Sequence, residues 1–211
     1  AHLEGFGGLE GVARGKAEIM NGLGPNGVFV FNGDDRFAEL WRELADGRTQ
    51  RTFGVKQPAD VSTPDEAIRV VWRGHRFETR FPVHCAAGQI EVGIQLAGEH
   101  NRMNALAAVA ASLEVGASLD TVVPALAAIK PVPGRLCPMS ARGGARLIDD
   151  TYNANPDSVL AALRVLTTAP ARRTMVLGAL AGPGDEAVEL HRHIGRSVAE
   201  AGIERLYTVG D

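Results

Sequence analysis

After residue 144, short apolar runs alternate with longer stretches of helical period: 145–149, then 156–168, 173–178, 185–201 and 205–209. When a helix separates two strands, it carries the chain back to the end where the first strand began, so the strands lie parallel. The alternation therefore predicts a parallel α/β sheet, and such sheets meet ligands at the carboxyl ends of their strands. One of those ends is unusually polar. In "LIDDTYNANPDS" (147–158) two apolar residues run into Asp149 and Asp150, then Thr151, Tyr152, Asn153, Ala154 and Asn155. Pro156 is well placed to open the following helix. Two readings stay open for this loop: its polar groups meet a ligand, or Asn155 or Asp157 caps the helix behind it.

The first 130 residues are built differently. "GVFVFN" (27–32) has the continuous apolar character of a buried parallel strand, and "DRFAELWRELADG" (35–47) follows with helical spacing at Phe37, Leu40, Trp41 and Leu44. "RVVWRG", "HRFETRFPV" and "GQIEVGIQL" alternate instead, which predicts a small antiparallel sheet. Helices are expected over 99–116 and over 118–129, the second with Ser118 as N-cap and Pro124 as a weak point. "KPVPGRL" (130–136) packs two prolines and a glycine into seven residues and is the best linker.

Other glycine-rich or basic stretches read blandly on their own. "GLEGVARGKAE" (8–18) misses the phosphate-loop template at Glu10 and Ala17 and reads as a helix with Val12, Ile19 and Met20 as apolar positions. Lys16 is then a solvated helix lysine and His2 a surface or capping histidine. His191 and His193 are expected to face solvent, and the glycines of "LGALAGPGDE" (177–186) to serve tight turns. A net charge of −3 with mixed signs argues against a nucleic-acid groove or a basic membrane face. Cys85 and Cys137, far apart, are expected as partly buried free thiols of a cytoplasmic protein. The chain starts at Ala1 and stops just after a strand, which reads as a fragment cut at both ends.

Taken together, "AHLEGFGGLEGVARGKAEI", "EHNRMNALAA" followed by "PVPGRL", and "LIDDTYNANPDS" resemble the Mur ligase family in order and spacing. The resemblance implies two parts: the back half of an ATP-binding central domain over 1–132, with a parallel sheet remnant and a small antiparallel sheet, and a Rossmann-like C-terminal domain over 133–211. It implies a monomeric ligase that uses ATP and Mg²⁺ to join D-alanyl-D-alanine to UDP-N-acetylmuramoyl-tripeptide through an acyl phosphate, with no nucleic-acid or membrane partner. Lys16 then matches a lysine that CO₂ converts to a carbamate ligand of Mg²⁺, and His2 a metal-binding histidine. Asn101 and Asn104 match asparagines near adenine. Arg135 and Asp150 match residues that reach the nucleotide, and Tyr152, Asn153 and Asn155 line the same loop. The family's phosphate loop has no counterpart here, so the fragment by itself is expected to be inactive. Ala179 and Gly182 stand where acidic residues are expected, which leaves D-alanyl-D-alanine handling unassigned. Another Mur ligase, a folylpolyglutamate-synthase-like ligase and a non-catalytic binding remnant are the alternatives.

Overall fold

The computed structural model describes residues 6–74, 76–169, 172–180 and 187–210. The chain divides into two compact units: residues 1–67, 81–92 and 103–126, and residues 68–80, 93–102 and 127–211.

The first unit opens with α1 (Leu9–Ala17), which tightens into a 3₁₀ turn at Glu18–Gly22. Then follow β1 (Val28–Asn32), α2 (Ala38–Leu44), β2 (Thr49–Gly54) and the two-residue β3 (Val61–Ser62). β1 and β2 are parallel in the register Val28↔Thr49 to Asn32↔Phe53, and β2 continues parallel to β3. Phe29 and Phe31 stack at 5.1 Å on one face of β1 and pack with Ala17, Met20, Ala38 and Ala45. Trp41 of α2 meets Phe31 edge-on and donates its indole N–H to the Ala13 carbonyl at 3.0 Å, which fastens α1 to α2. Met20 lies in this core, but Ile19 is 66% exposed: the change to 3₁₀ geometry after Ala17 breaks the helical period that placed both on one side.

β2 has no clear signal in the sequence. "TQRTFG" buries Thr52, and a buried hydroxyl needs a partner. Asp60 supplies one, with a single carboxylate oxygen accepting from both the Thr52 N–H and its hydroxyl at 2.8 Å.

The antiparallel elements are β4 (Arg69–Arg73), β5 (Arg76–Cys85) and β6 (Gly88–Ile94). β4 pairs with β5 from Arg69↔Arg80 to Arg73↔Arg76, and β6 pairs with β5. α3 (Glu99–Glu114) and α4 (Leu119–Ala128) follow, with Pro124 accommodated inside α4.

In the second unit β7 (Cys137–Ser140) and β8 (Arg146–Asp149) form an antiparallel pair. The short β7, "CPMS", has no strand signal in the sequence, because a proline within four residues hides the pattern. α5 (Pro156–Thr167), β9 (Thr174–Gly178), α6 (Ala187–Glu200) and β10 (Arg205–Val209) complete the alternation, and β9 and β10 are parallel from Arg205↔Thr174 to Val209↔Gly178. α5 and α6 bury Val159, Leu163, Ile194 and Val198 together with Leu180. A second cluster joins Phe77, Ala97, Leu136 and Val165. Cys85 and Cys137 are free and half-buried. Among the described residues no helix is long and apolar enough to cross a membrane.

Candidate functional site

β8 delivers Asp149 and Asp150 to the start of the polar loop, and α5 begins immediately beyond it. The helix start is self-contained. The Asn155 side chain accepts from the Ser158 N–H at 3.0 Å, and the Ser158 hydroxyl accepts from the Asn155 N–H at 3.1 Å. This capping box, with Pro156 as the first helical residue, shows that the capping reading of Asn155 holds.

The two carboxylates reach back instead to residues 134–136. Asp149 Oδ2 accepts from the Gly134 N–H at 3.0 Å. Its Oδ1 accepts from the Thr151 hydroxyl at 2.7 Å and the Thr151 N–H at 3.2 Å. Asp150 Oδ1 accepts from the Leu136 N–H at 3.0 Å, and the Gly134 carbonyl accepts from the Tyr152 N–H at 3.0 Å. These bonds join the linker and the loop into one clasp. Hydrogen bonds from Thr151 hold the Asp149 carboxyl below the usual carboxylate range, with the backbone N–H groups of Gly134 and Thr151 adding to the effect.

Arg135 projects from this clasp. Its guanidinium lies 4.0 Å from the centre of the Tyr152 ring, and both residues are exposed. Asn153 is exposed in the same loop.

Asn101 lies in the first turn of α3, in the second unit. Its amide donates to the Ala97 carbonyl at 2.8 Å and lies 3.0 Å from Nε2 of His100. Asn104, one turn on, is exposed and belongs to the first unit. His100 lines a cavity of about 230 Å³ with Ile68, Val70, Gly98, Arg164 and Val165. His100 is exposed overall, but partial desolvation of its ring against the cavity wall pushes the imidazole below its ordinary value; the Arg164 guanidinium adds to this, and Asp150 and Glu99 oppose it. A lone histidine on a helix gives no sequence signal for that role.

Lys16 lies in the last turn of α1 with its side chain exposed. His2 lies outside the described residues, as does Gly182; Ala179 is exposed after β9. Thus the structure brings Arg135, Asp150 and Tyr152 together. It places Asn101 and Asn104 on consecutive turns of α3, and Lys16 on a helix of the first unit. His191 and His193 are exposed on α6.

Arg135, Asp149 and Asp150 thus gather at the carboxyl end of β8 in an α/β unit, but β8 pairs antiparallel with β7 and does not join the parallel β9 and β10 as the alternation predicts. The chain belongs to the Mur ligase family: residues 1–112 match the Mur ligase middle domain, and residues 134–211 match the Mur ligase glutamate ligase domain. It is 39% identical over 210 residues to UDP-N-acetylmuramoyl-tripeptide–D-alanyl-D-alanine ligase of Escherichia coli (strain K12), covering 100% of this chain and 45% of that protein. Its fold is similar to that of MurF from Acinetobacter baumannii, with a TM-score of 0.89 and 35% identity over 100% of this chain and 45% of the other. A structure of MurF ligase from Thermotoga maritima in complex with ADP is similar with a TM-score of 0.81 and 25% identity, over 99% of this chain and 46% of the other. The chain thus spans less than half the length of each of these relatives.

Proposed function

We propose that this chain supplies the middle and C-terminal parts of an ATP-dependent ligase that adds D-alanyl-D-alanine to UDP-N-acetylmuramoyl-tripeptide in peptidoglycan precursor synthesis. The observation that carries the reading is 39% identity, along the whole chain, to a protein of that name. The functional division remains 1–132 and 133–211, and the ligase works as a monomer in the cytoplasm, without nucleic-acid or membrane partners.

In this reaction a tripeptide carboxylate oxygen attacks the γ-phosphorus of ATP and ADP leaves. The D-alanyl-D-alanine amine then attacks the acyl carbon, loses a proton, and phosphate departs. Three anionic groups must be held together, so cationic groups and fixed positions dominate the catalysis. Arg135 faces the phosphates; its exposed guanidinium, with no ion-pair partner among the described residues, fits that task. Asp150 keeps Oδ2 for a ribose hydroxyl while Oδ1 holds Leu136. Asn101 and Asn104 flank the adenine, and Tyr152, Asn153 and Asn155 line the loop. Mg²⁺ would be held by His2 and by Lys16 as its carbamate, and would neutralise phosphate charge. The Lys16 side chain is exposed near the end of α1 and so accessible to CO₂, which reacts with its neutral amine.

The test measures phosphate release by the ligase at the length of its relatives. Lys16→Arg keeps the charge but cannot carry the carbamate, and should be nearly inactive. Lys16→Ala should regain part of its rate when acetate or formate fills the gap. Near-parental activity in Lys16→Arg would overturn the metal assignment. A wild-type ligase that releases no phosphate with these two substrates would overturn the function itself.

A further inference from the structure

Arg135 is flanked by two residues with left-handed backbone, Gly134 at φ 76° and Leu136 at φ 46°. Among the described residues Leu136 is the one non-glycine residue in that region, which its Cβ resists. A conformation of this kind persists only where the surroundings over-determine it. Here they do. The N–H groups of Gly134, Arg135 and Leu136 have fixed acceptors in Asp149, Val132 and Asp150, and the Gly134 carbonyl is fixed by Tyr152. A side chain at Gly134 would be strained twice, by the left-handed backbone and by a Cβ standing 3.1 Å from the Tyr152 nitrogen.

The consequence for charge is unusual. Two carboxylates lie beside an arginine, yet both turn to the amides on either side of it. The guanidinium makes no ion pair among the described residues and rests on the Tyr152 ring. An arginine that its own neighbours do not neutralise keeps its full charge for an incoming anion.

We propose that Asp149 is a positioning residue for Arg135: by fixing the Gly134 N–H it aims the guanidinium, stacked on Tyr152, at the polyphosphate of the nucleotide. This rests on the ligase reading above. Asp149 itself touches no nucleotide; it acts through the backbone next to Arg135.

A double-mutant cycle tests this in the full-length ligase, with KM for ATP, KM for the UDP-linked substrate, kcat and Tm measured for each variant. Arg135→Ala should raise KM for ATP about ten- to a hundredfold, the worth of one charge-assisted hydrogen bond. Asp149→Ala should raise it about tenfold and leave KM for the UDP-linked substrate unchanged. In the Arg135→Ala background the Asp149 change should add less than about twofold, because interacting residues are not additive. Full multiplication of the two effects, or equal losses for both substrates, overturns the proposal and leaves Asp149 a structural residue. Asp149→Asn, which keeps one acceptor oxygen, should show the same pattern at smaller size and covers the case in which Asp149→Ala does not fold. ADP and adenosine affinities by calorimetry on the same variants separate the two readings. If the wild type does not ligate, the function fails; if Asp149→Asn weakens ADP no more than adenosine, the positioning role fails.

Discussion

Asp34, two residues past β1 in the first unit, and Asp149 with Asp150, at the end of β8 in the second, commit their carboxylates to backbone amides of another segment. Asp34 gathers three consecutive donors: the Val55 N–H at 2.6 Å, the Lys56 N–H at 3.0 Å and the Gln57 N–H at 2.8 Å. Gly54 leaves room for this, since a Cβ there would stand 3.0 Å from Asp34 Oδ1. One carboxylate thereby closes one loop. In the second unit the work is divided between two carboxylates that hold Gly134 and Leu136, with Arg135 left between them. The same chemistry ties down a loop in one place and presents a cation in the other. What differs is whether the captured amides are consecutive or straddle a side chain.

The largest expected effect tests the strained side of the clasp. Leu136 is 6% exposed within the cluster of Phe77, Ala97 and Val165, so Leu136→Ala should cost about 2–5 kcal/mol by denaturant titration. Leu136→Gly removes more side chain but relieves the left-handed backbone. It should be less costly than the alanine variant by about 0.5–1 kcal/mol. The reverse order would show that the clasp imposes no strain at this position.

Asp34→Ala should come next, at about 1.5–3 kcal/mol for charge-assisted bonds to three amides. It should leave nucleotide affinity unchanged, in contrast to Asp149→Ala. A fall in ADP binding on Asp34→Ala, measured by calorimetry, would erase the distinction between the two strand ends.

The smallest effect is a pH slope. Because partial desolvation lowers the His100 pKa, the unfolded chain takes up a proton more readily than the folded ring as pH falls below the ordinary 6.5. Stability is therefore retained above that value and declines below it. His100→Gln should flatten Tm between about pH 7 and pH 5. An unchanged slope would assign the acid sensitivity to other groups. The Asp149 carboxyl, also lowered, acts in a separate and more acid window: it contributes stability above its ordinary 3.8 and loses it as pH falls through its depressed value.

Several features could be read directly from residue order. β10 occupies 205–209 as the apolar run predicts, and α5 begins at Pro156. The strand–helix alternation settled the parallel pairing of β9 and β10, because a helix between two strands leaves little other choice. Local period also concentrated polar chemistry in 149–155, and family resemblance singled out Arg135. β2 escaped because its buried Thr52 depends on Asp60, eight residues away, and no local pattern reports such a partner. β7 escaped because its proline imitates a linker. Tertiary structure alone decided where each carboxylate of the Asp149–Asp150 pair would go. That choice depends on backbone direction at Gly134 and Leu136, about fifteen residues upstream, and on the narrow angles over which a hydrogen bond forms. Sequence spacing gives polarity and period, whereas a donor's aim is fixed only when both segments are held in place.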